Sequence, residues 1–205
     1  KILCADCGGI FGAKTWHSTD RYRRVVWQCN DKFKGENKCE TPHLTEERLK
    51  ELFLSALGAY LSDRDTVITR LCDTQRVLTD TNFIDEVIRT LEEELTAVTE
   101  MLRLCMEENA TNNVTEETYR ATHADSCRRF EETEARLTSL QKQRDRIKAD
   151  AIVIGGMMFE LGELDGLPVD FDEKLWNGTI DHVTTHADER VVFCFKDGKE
   201  ITTRL

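Results

Sequence analysis

Residues 1–30, KILCADCGGIFGAKTWHSTDRYRRVVWQCN, open with two thiols spaced C-x2-C, place two glycines directly after them, and reach a third thiol at Cys29. A C-x2-C loop lets two thiolates approach one ion at about 2.3 Å each, and small residues after the second Cys allow backbone N–H groups to turn toward the sulfurs. Gly8 and Gly9 supply that turn. Cys39 completes a set of four with the spacing C-x2-C, 21 residues, C-x9-C. Between the pairs, RYRRVVWQCN alternates enough to predict a strand leading into Cys29.

A second pair of thiols at the far end of a hairpin completes a tetrahedral all-thiolate site, which suits Zn²⁺ best. This is a zinc-ribbon pattern, with Cys4, Cys7, Cys29 and Cys39 as ligands and a structural Zn²⁺ as cofactor. Two disulfides would need an oxidising compartment, of which the sequence gives no sign, and a redox dithiol would need a strand before it and a helix after it. His17 and His43 stand as substitute ligands; otherwise His17 reads as a surface or DNA-facing residue and His43 as part of a linker. Cys72, Cys105, Cys127 and Cys194 stand alone. Cys105 reads as a small buried hydrophobe, and His123 and Cys127 as packing residues.

The 205 residues carry a net charge of −11, are 33% charged and only 7% aromatic, a composition of long solvated helices more than of one compact globule. No apolar run reaches the roughly 18 residues of a membrane span, and the start lacks the apolar core of a signal peptide, so a cytoplasmic protein without a membrane partner is expected. Beginning with Lys1 and not Met, the chain is expected to be a piece of something longer.

The charge is unevenly distributed. Residues 1 to 43 hold eight Lys/Arg and five Asp/Glu, whereas 83 to 150 hold ten and sixteen, and 151 to 205 five and eleven. Positive charge sits with the clustered cysteines, and an acidic chain can bind a phosphate backbone through one basic module. Lys14, Arg21, Arg23 and Arg24 lie on or beside one β-hairpin, with Trp16, His17 and Tyr22 interleaved, and Lys32, Lys34 and Lys38 follow before Cys39. Lys14, Trp16, His17, Arg21, Arg23, Arg24, Lys32 and Lys34 are therefore the candidate contacts to double-stranded DNA; the alternative is an ordinary solvated surface.

After Pro42 an amphipathic helix is expected, with Thr45 as N-cap and Leu49, Leu52, Phe53, Ala56, Leu57 and Tyr60 on one face. A weaker helix follows from about 65 to 78, with a break at 79 to 82. From Ile84 the pattern becomes strict: Ile84, Ile88, Leu91, Leu95, Val98, Leu102 and Cys105 step by four and three, the seam of a coiled coil. A helix from 83 to 108 would span about 39 Å. Polar residues interrupt it, Thr115 is a candidate N-cap, and the next helix should turn back antiparallel. Its seam, Tyr119, His123, Ser126, Phe130, Thr133, Leu137, Leu140, Arg144, Ile147 and Ala151, is more polar, so the pairing should weaken toward a tip at about 105 to 123.

In the last forty residues Asp170 and Glu173 resemble a capping box for a short helix through Leu175, Trp176 and Ile180. Three strand-like runs follow, at 182–187, 190–196 and 199–205. The turn KDGK at 196–199 signals a hairpin whose Asp-Gly tolerates positive φ at both central positions. Such a meander cannot stand alone. The expected fold class is α+β: a small zinc-ribbon/β domain built from both chain ends, with a long antiparallel coiled-coil helical hairpin inserted. The expected divisions are 1–62, 63–155 and 156–205.

The order CADCGG, KCETPHLTEERLKELFLSAL, VTEETYR and FDEKLWNGTIDHVTTHADERVVFCFKDGKEI resembles the C-terminal half of large serine recombinases, the integrases and transposases of phages and mobile elements. The resemblance implies a zinc ribbon that reads part of an attachment site and an embedded coiled coil that governs synapsis and direction through other recombinase subunits. A recombination directionality factor is a further implied partner, and the cell is bacterial or phage-infected. In that family the catalytic serine lies in a separate N-terminal domain, so no serine here is assigned as nucleophile, and the fragment should be inactive alone. The competing reading is a zinc-stabilised protein-interaction scaffold without DNA binding. A zinc enzyme is disfavoured, since four thiolates close the coordination shell and neither H-E-x-x-H nor a P-loop is present.

Overall fold

The computed structural model describes residues 1–34, 38–111 and 114–205. They form two units, one of residues 1–75 with 153–205 and one of residues 76–152. Among the described residues no helix is long and apolar enough to cross a membrane.

The first unit is α+β with two small sheets. Strands β1 (Ile2–Cys4), β2 (Phe11–Trp16), β3 (Arg24–Cys29) and β4 (Leu44–Thr45) precede helix α1 (Glu46–Tyr60). β2, β3 and β4 form an antiparallel sheet, while β1 leaves them and pairs in parallel with β5 (Ile180–Thr185), Ile2 against Val183 and Cys4 against Thr185. β6 (Arg190–Phe195) and β7 (Glu200–Arg204) extend that second sheet antiparallel. The two ends of the chain thus share one sheet, and the Val183 N–H donates to the Lys1 carbonyl at 2.8 Å.

Alternation along β6 gives this sheet its core face. Val191, Phe193 and Phe195 are wholly buried, and Val192 and Cys194 on the other side only partly so. Against that face packs α1, capped by Thr45, whose hydroxyl accepts from the Arg48 N–H at 3.2 Å. All six residues of its apolar stripe, Leu49, Leu52, Phe53, Ala56, Leu57 and Tyr60, are buried. Phe53 meets Trp176 at 5.0 Å and Phe193 at 6.4 Å between ring centroids, edge-on or tilted as aromatic quadrupoles prefer.

Helix α2 (Arg64–Thr79) is tied to the sheet by a buried polar lock. The Tyr60 hydroxyl donates to Asp197 Oδ2 at 2.9 Å, Arg70 donates to the same oxygen at 2.5 Å, and Tyr60 stacks on Phe195 at 4.0 Å. Asp197 belongs to the β6–β7 turn, which differs from the Asp-Gly expectation. Only Gly198 has positive φ (+81°), and the Gly198 N–H donates to the Phe195 carbonyl, making a three-residue loop with glycine at its left-handed position. Asp197 keeps ordinary φ and spends its carboxylate on the lock.

Helix α5 (Glu173–Thr179) is capped by Asp172, whose carboxylate accepts from the Lys174 N–H at 2.7 Å, and not by Asp170 as the capping-box spacing suggested. The cap lies next to the first helical residue because its oxygen must reach the N–H groups of the first turn. The last turn of α4 (Glu116–Gly162) ends in this unit, with Ile154, Met157 and Leu161 buried and Arg64 donating to the Leu161 carbonyl at 2.9 Å.

The second unit is helical. α3 (Asn82–Ala110) buries Ile88, Leu91, Val98 and Cys105, all from the apolar series that steps by four and three. Ile88 and Leu91 join Leu137 of α4 in one cluster, with Ile84, Val87, Leu95 and Leu140 packed around it. Arg144 pairs with Asp85 at 3.4 Å and Arg129 with Glu94 at 3.5 Å. As the α3 number rises the α4 number falls, so the helices run antiparallel. Thr115 caps α4 by accepting from the Thr118 N–H at 3.3 Å. Ser126 and Thr133 are buried where the seam turns polar. Of the expected tip at 105 to 123, residues 112 and 113 lie outside the described residues.

Candidate metal centre and basic hairpin

The sulfurs of Cys4, Cys7, Cys29 and Cys39 all lie within 4.8 Å of one another. Cys4 ends β1, Cys7 follows in the knuckle turn, Cys29 ends β3, and Cys39 comes after the loop whose residues 35–37 lie outside the described residues. Cys4 and Cys39 approach to 3.4 Å, as do Cys7 and Cys29. Zn–S bonds of about 2.3 Å give a tetrahedron with edges of about 3.8 Å. The four sulfurs bracket that size, and the donor set fits zinc binding.

The knuckle is shaped by its glycines. Gly8 adopts φ +72°, and its N–H donates to the Cys4 carbonyl at 3.0 Å while the Cys4 N–H donates to the Gly9 carbonyl at 2.8 Å. A Cβ on Gly9 would overlap Asp31 Oδ2 and stand 3.1 Å from Cys29 Sγ and 3.2 Å from Cys7 Sγ, so any larger residue would crowd the cluster and push the Asp31 side chain aside.

Around the sulfurs lies a set of hydrogen bonds that the cysteine spacing does not reveal. The wholly buried Thr41 donates its hydroxyl to Asp6 Oδ2 at 2.6 Å, and the same oxygen lies 3.0 Å from Cys4 Sγ and 3.1 Å from Cys39 Sγ. The Asp31 N–H donates to Cys29 Sγ at 3.4 Å. Burial pushes the Cys4 thiol up, but hydrogen bonds from Thr41, the Cys7 and Asp6 backbone and Cys39 outweigh it and bring it down to about 7. The Gly9 N–H lowers Cys7, yet its contact with Cys29, burial, and the Cys4 and Cys39 thiols push it up to about 12. Burial likewise raises Cys29. Four crowded thiols resist ionising together unless a cation neutralises them.

Neither histidine weighed as a substitute ligand joins the cluster. His17 adopts φ 55° in the β2–β3 turn and pairs with Asp20 at 3.1 Å, and His43 packs on Trp16 at 4.8 Å. Burial, then Lys32 and Arg24, lower the pKa of His43.

The basic residues collect on the β2–β3 hairpin. Lys14 lies within β2, and Trp16 faces Arg24 across the strands, the guanidinium 5.3 Å from the indole. His17, Arg21 and Arg23 occupy the exposed turn, where Arg21 donates to the Tyr22 hydroxyl at 2.6 Å. The two lysines near Cys39 are placed differently. Lys34 is exposed and pairs with Asp31 at 3.5 Å, whereas the Lys32 ammonium donates to the Thr41 carbonyl at 2.8 Å and braces the cysteine cluster.

Residues 1–58 match the family model described as the recombinase zinc beta ribbon domain. No curated protein and no solved structure matches the chain. The match runs from the knuckle cysteines into α1 and supports a recombinase-associated zinc ribbon over that stretch.

Proposed function

We propose that this chain is the DNA-binding and synapsis-regulating C-terminal region of a large serine site-specific recombinase. The observation that carries the reading is the family match at residues 1–58 together with four sulfurs gathered at the size of one metal ion. Cys4, Cys7, Cys29 and Cys39 hold a structural Zn²⁺. With the shell closed by four thiolates, the metal supplies cross-linking between the knuckle and the end of β3, not Lewis-acid chemistry.

The hairpin then meets attachment-site DNA. Lys14, Arg21, Arg23, Arg24 and Lys34 neutralise phosphates, and Trp16 holds Arg24 in place from below. His17 adds a polar contact at the turn, and Lys32 acts by fixing the loop that carries Cys39. The helical region of residues 63–155, inserted between the divisions 1–62 and 156–205, is an antiparallel coiled coil. Its tip, at about 105 to 123, meets other recombinase subunits and a directionality factor and so governs synapsis. The full protein is a cytoplasmic serine recombinase, and the present segment binds without cutting.

Binding of the zinc-loaded chain to duplexes from the ends of its element, against scrambled duplexes, tests this reading by fluorescence anisotropy. Preference for the element ends, lost on chelation, is the expected result. The acidity of residues 151 to 205, eleven Asp/Glu against five Lys/Arg, favours a scaffold without DNA contact. Equal and negligible binding to both duplexes at low salt would put that reading first.

A further inference from the structure

The outer face of the C-terminal sheet carries a second gathering of metal-binding side chains. Asp181, His182 and Cys194 bring a carboxylate oxygen, an imidazole nitrogen and a thiol sulfur within 4.8 Å of one another. None of the three takes part in the four-cysteine cluster.

A break in strand register builds this group. β5 and β6 pair Ile180 with Phe195, and then His182 with Cys194, so Asp181 is an extra residue on β5. In a regular strand consecutive side chains point to opposite faces. A bulge sets two residues of one strand against one of its partner, and such bulges re-aim side chains. Asp181 and His182 consequently meet on one side, with Asp181 Oδ2 2.8 Å from His182 Nδ1, opposite the single residue Cys194. Glu200, the register partner of Cys194 on β7, adds a negative neighbour.

The rest of the sheet does not depend on these side chains. Its packing rests on the opposite face, where Val183, Val191, Phe193 and Phe195 are wholly buried. His182 and Cys194 are half-buried, and the Asp181 carboxylate is exposed. An ion can therefore enter from solvent.

We propose that Asp181, His182 and Cys194 form a second metal site, taking a borderline-soft divalent cation of the Zn²⁺ or Co²⁺ type. Imidazole and thiolate select such ions over Mg²⁺ and Ca²⁺, which take oxygen donors. Three protein ligands leave a coordination position open to water, unlike the closed shell of four thiolates.

The test is a Co²⁺ titration of the full chain loaded beforehand with one equivalent of zinc, which the four-thiolate cluster takes first, followed by the absorption that arises when thiolate binds cobalt. Zinc outcompetes cobalt for a given site in the divalent series, so the four-cysteine cluster keeps its zinc. The wild-type chain is expected to take up one further equivalent of Co²⁺ with thiolate absorption. C194S should abolish that absorption, and D181N, which removes the charged oxygen ligand, should weaken uptake by on the order of 100-fold or more, beyond what loss of an outer hydrogen-bond partner costs. H182A should remove the further equivalent without changing the initial zinc content. Identical titrations for wild type and C194S would overturn the site. Because the readout is the difference at Cys194, it stands even if the starting zinc content refutes the four-cysteine assignment.

Discussion

Replacing Thr41 with valine should weaken zinc binding without disturbing the fold. Valine keeps the shape of threonine and exchanges the hydroxyl for a methyl group, and the site is wholly buried, so packing is preserved. What is lost is a hydroxyl that donates to Asp6 Oδ2 at 2.6 Å and shares its one proton with Cys4 Sγ at 3.0 Å and Cys39 Sγ at 3.1 Å. The third partner, Asp6, is exposed and regains water. Cys4 and Cys39 are 2% and 8% exposed, so their sulfurs have little access to water. A hydrogen bond to a charged group contributes about 1.5–3 kcal/mol. Because that one proton is shared with Asp6, the lower figure applies, and T41V should raise the zinc Kd roughly 10-fold. Competition against a chelator of known affinity at fixed pH measures this directly, with T41S, which keeps the hydroxyl, as the control expected to remain near wild type. A T41V chain that is folded and binds zinc as tightly as wild type would refute the claim that Thr41 stabilises the thiolates.

Leu91→Asp places a charge in the α3–α4 cluster and should cost on the order of 3–5 kcal/mol; far-UV circular dichroism should lose much of its helical signal while zinc content is retained. Asp197→Ala removes the acceptor of the buried Tyr60 hydroxyl and should lower stability by about 2 kcal/mol in urea unfolding; most of this belongs to Tyr60, because Arg70 is half-exposed and gains little from an ion pair. Glu189 sits at φ 67° in the β5–β6 turn, so Glu189→Gly should raise stability by about 1 kcal/mol, read as an upward shift in melting temperature. Zinc affinity should rise with pH between about 6 and 8, because each thiol must give up its proton to bind metal. With Cys7 held up to about 12, that proton is still in place at neutral pH and is released on binding, which calorimetry in buffers of different ionisation enthalpy can count.

What was legible in the sequence follows from local chemistry. The cysteine spacing announces a four-sulfur cluster because the knuckle turn is set by adjacent residues, and the α1 stripe and α3 seam announce buried faces because helical periodicity does not depend on the partner. Long-range pairing left no such trace: nothing in Ile2–Cys4 signals a parallel match with β5, some 180 residues later in the chain. The helix cap moved from Asp170 to Asp172 because Phe171 separates two equivalent acids and only geometry selects between them. Thr41 carries no motif, and its role emerges once the chain folds it against two sulfurs. Cys194 reads as solitary for the same reason, since strict alternation along 180–185 would send Asp181 and His182 to opposite faces, and only the bulge brings them together.

The most direct test of the account is the salt dependence of binding to an element-end duplex, measured for the zinc-loaded wild type and for a variant with Arg21, Arg23 and Arg24 all changed to alanine. Each phosphate contact contributes about 0.9 to the slope of log K against log salt, so the triple variant should bind more weakly with a slope smaller by about 3. Equal affinities and equal slopes would contradict the account, leaving the hairpin as solvated surface and the four-cysteine cluster as a purely structural clasp.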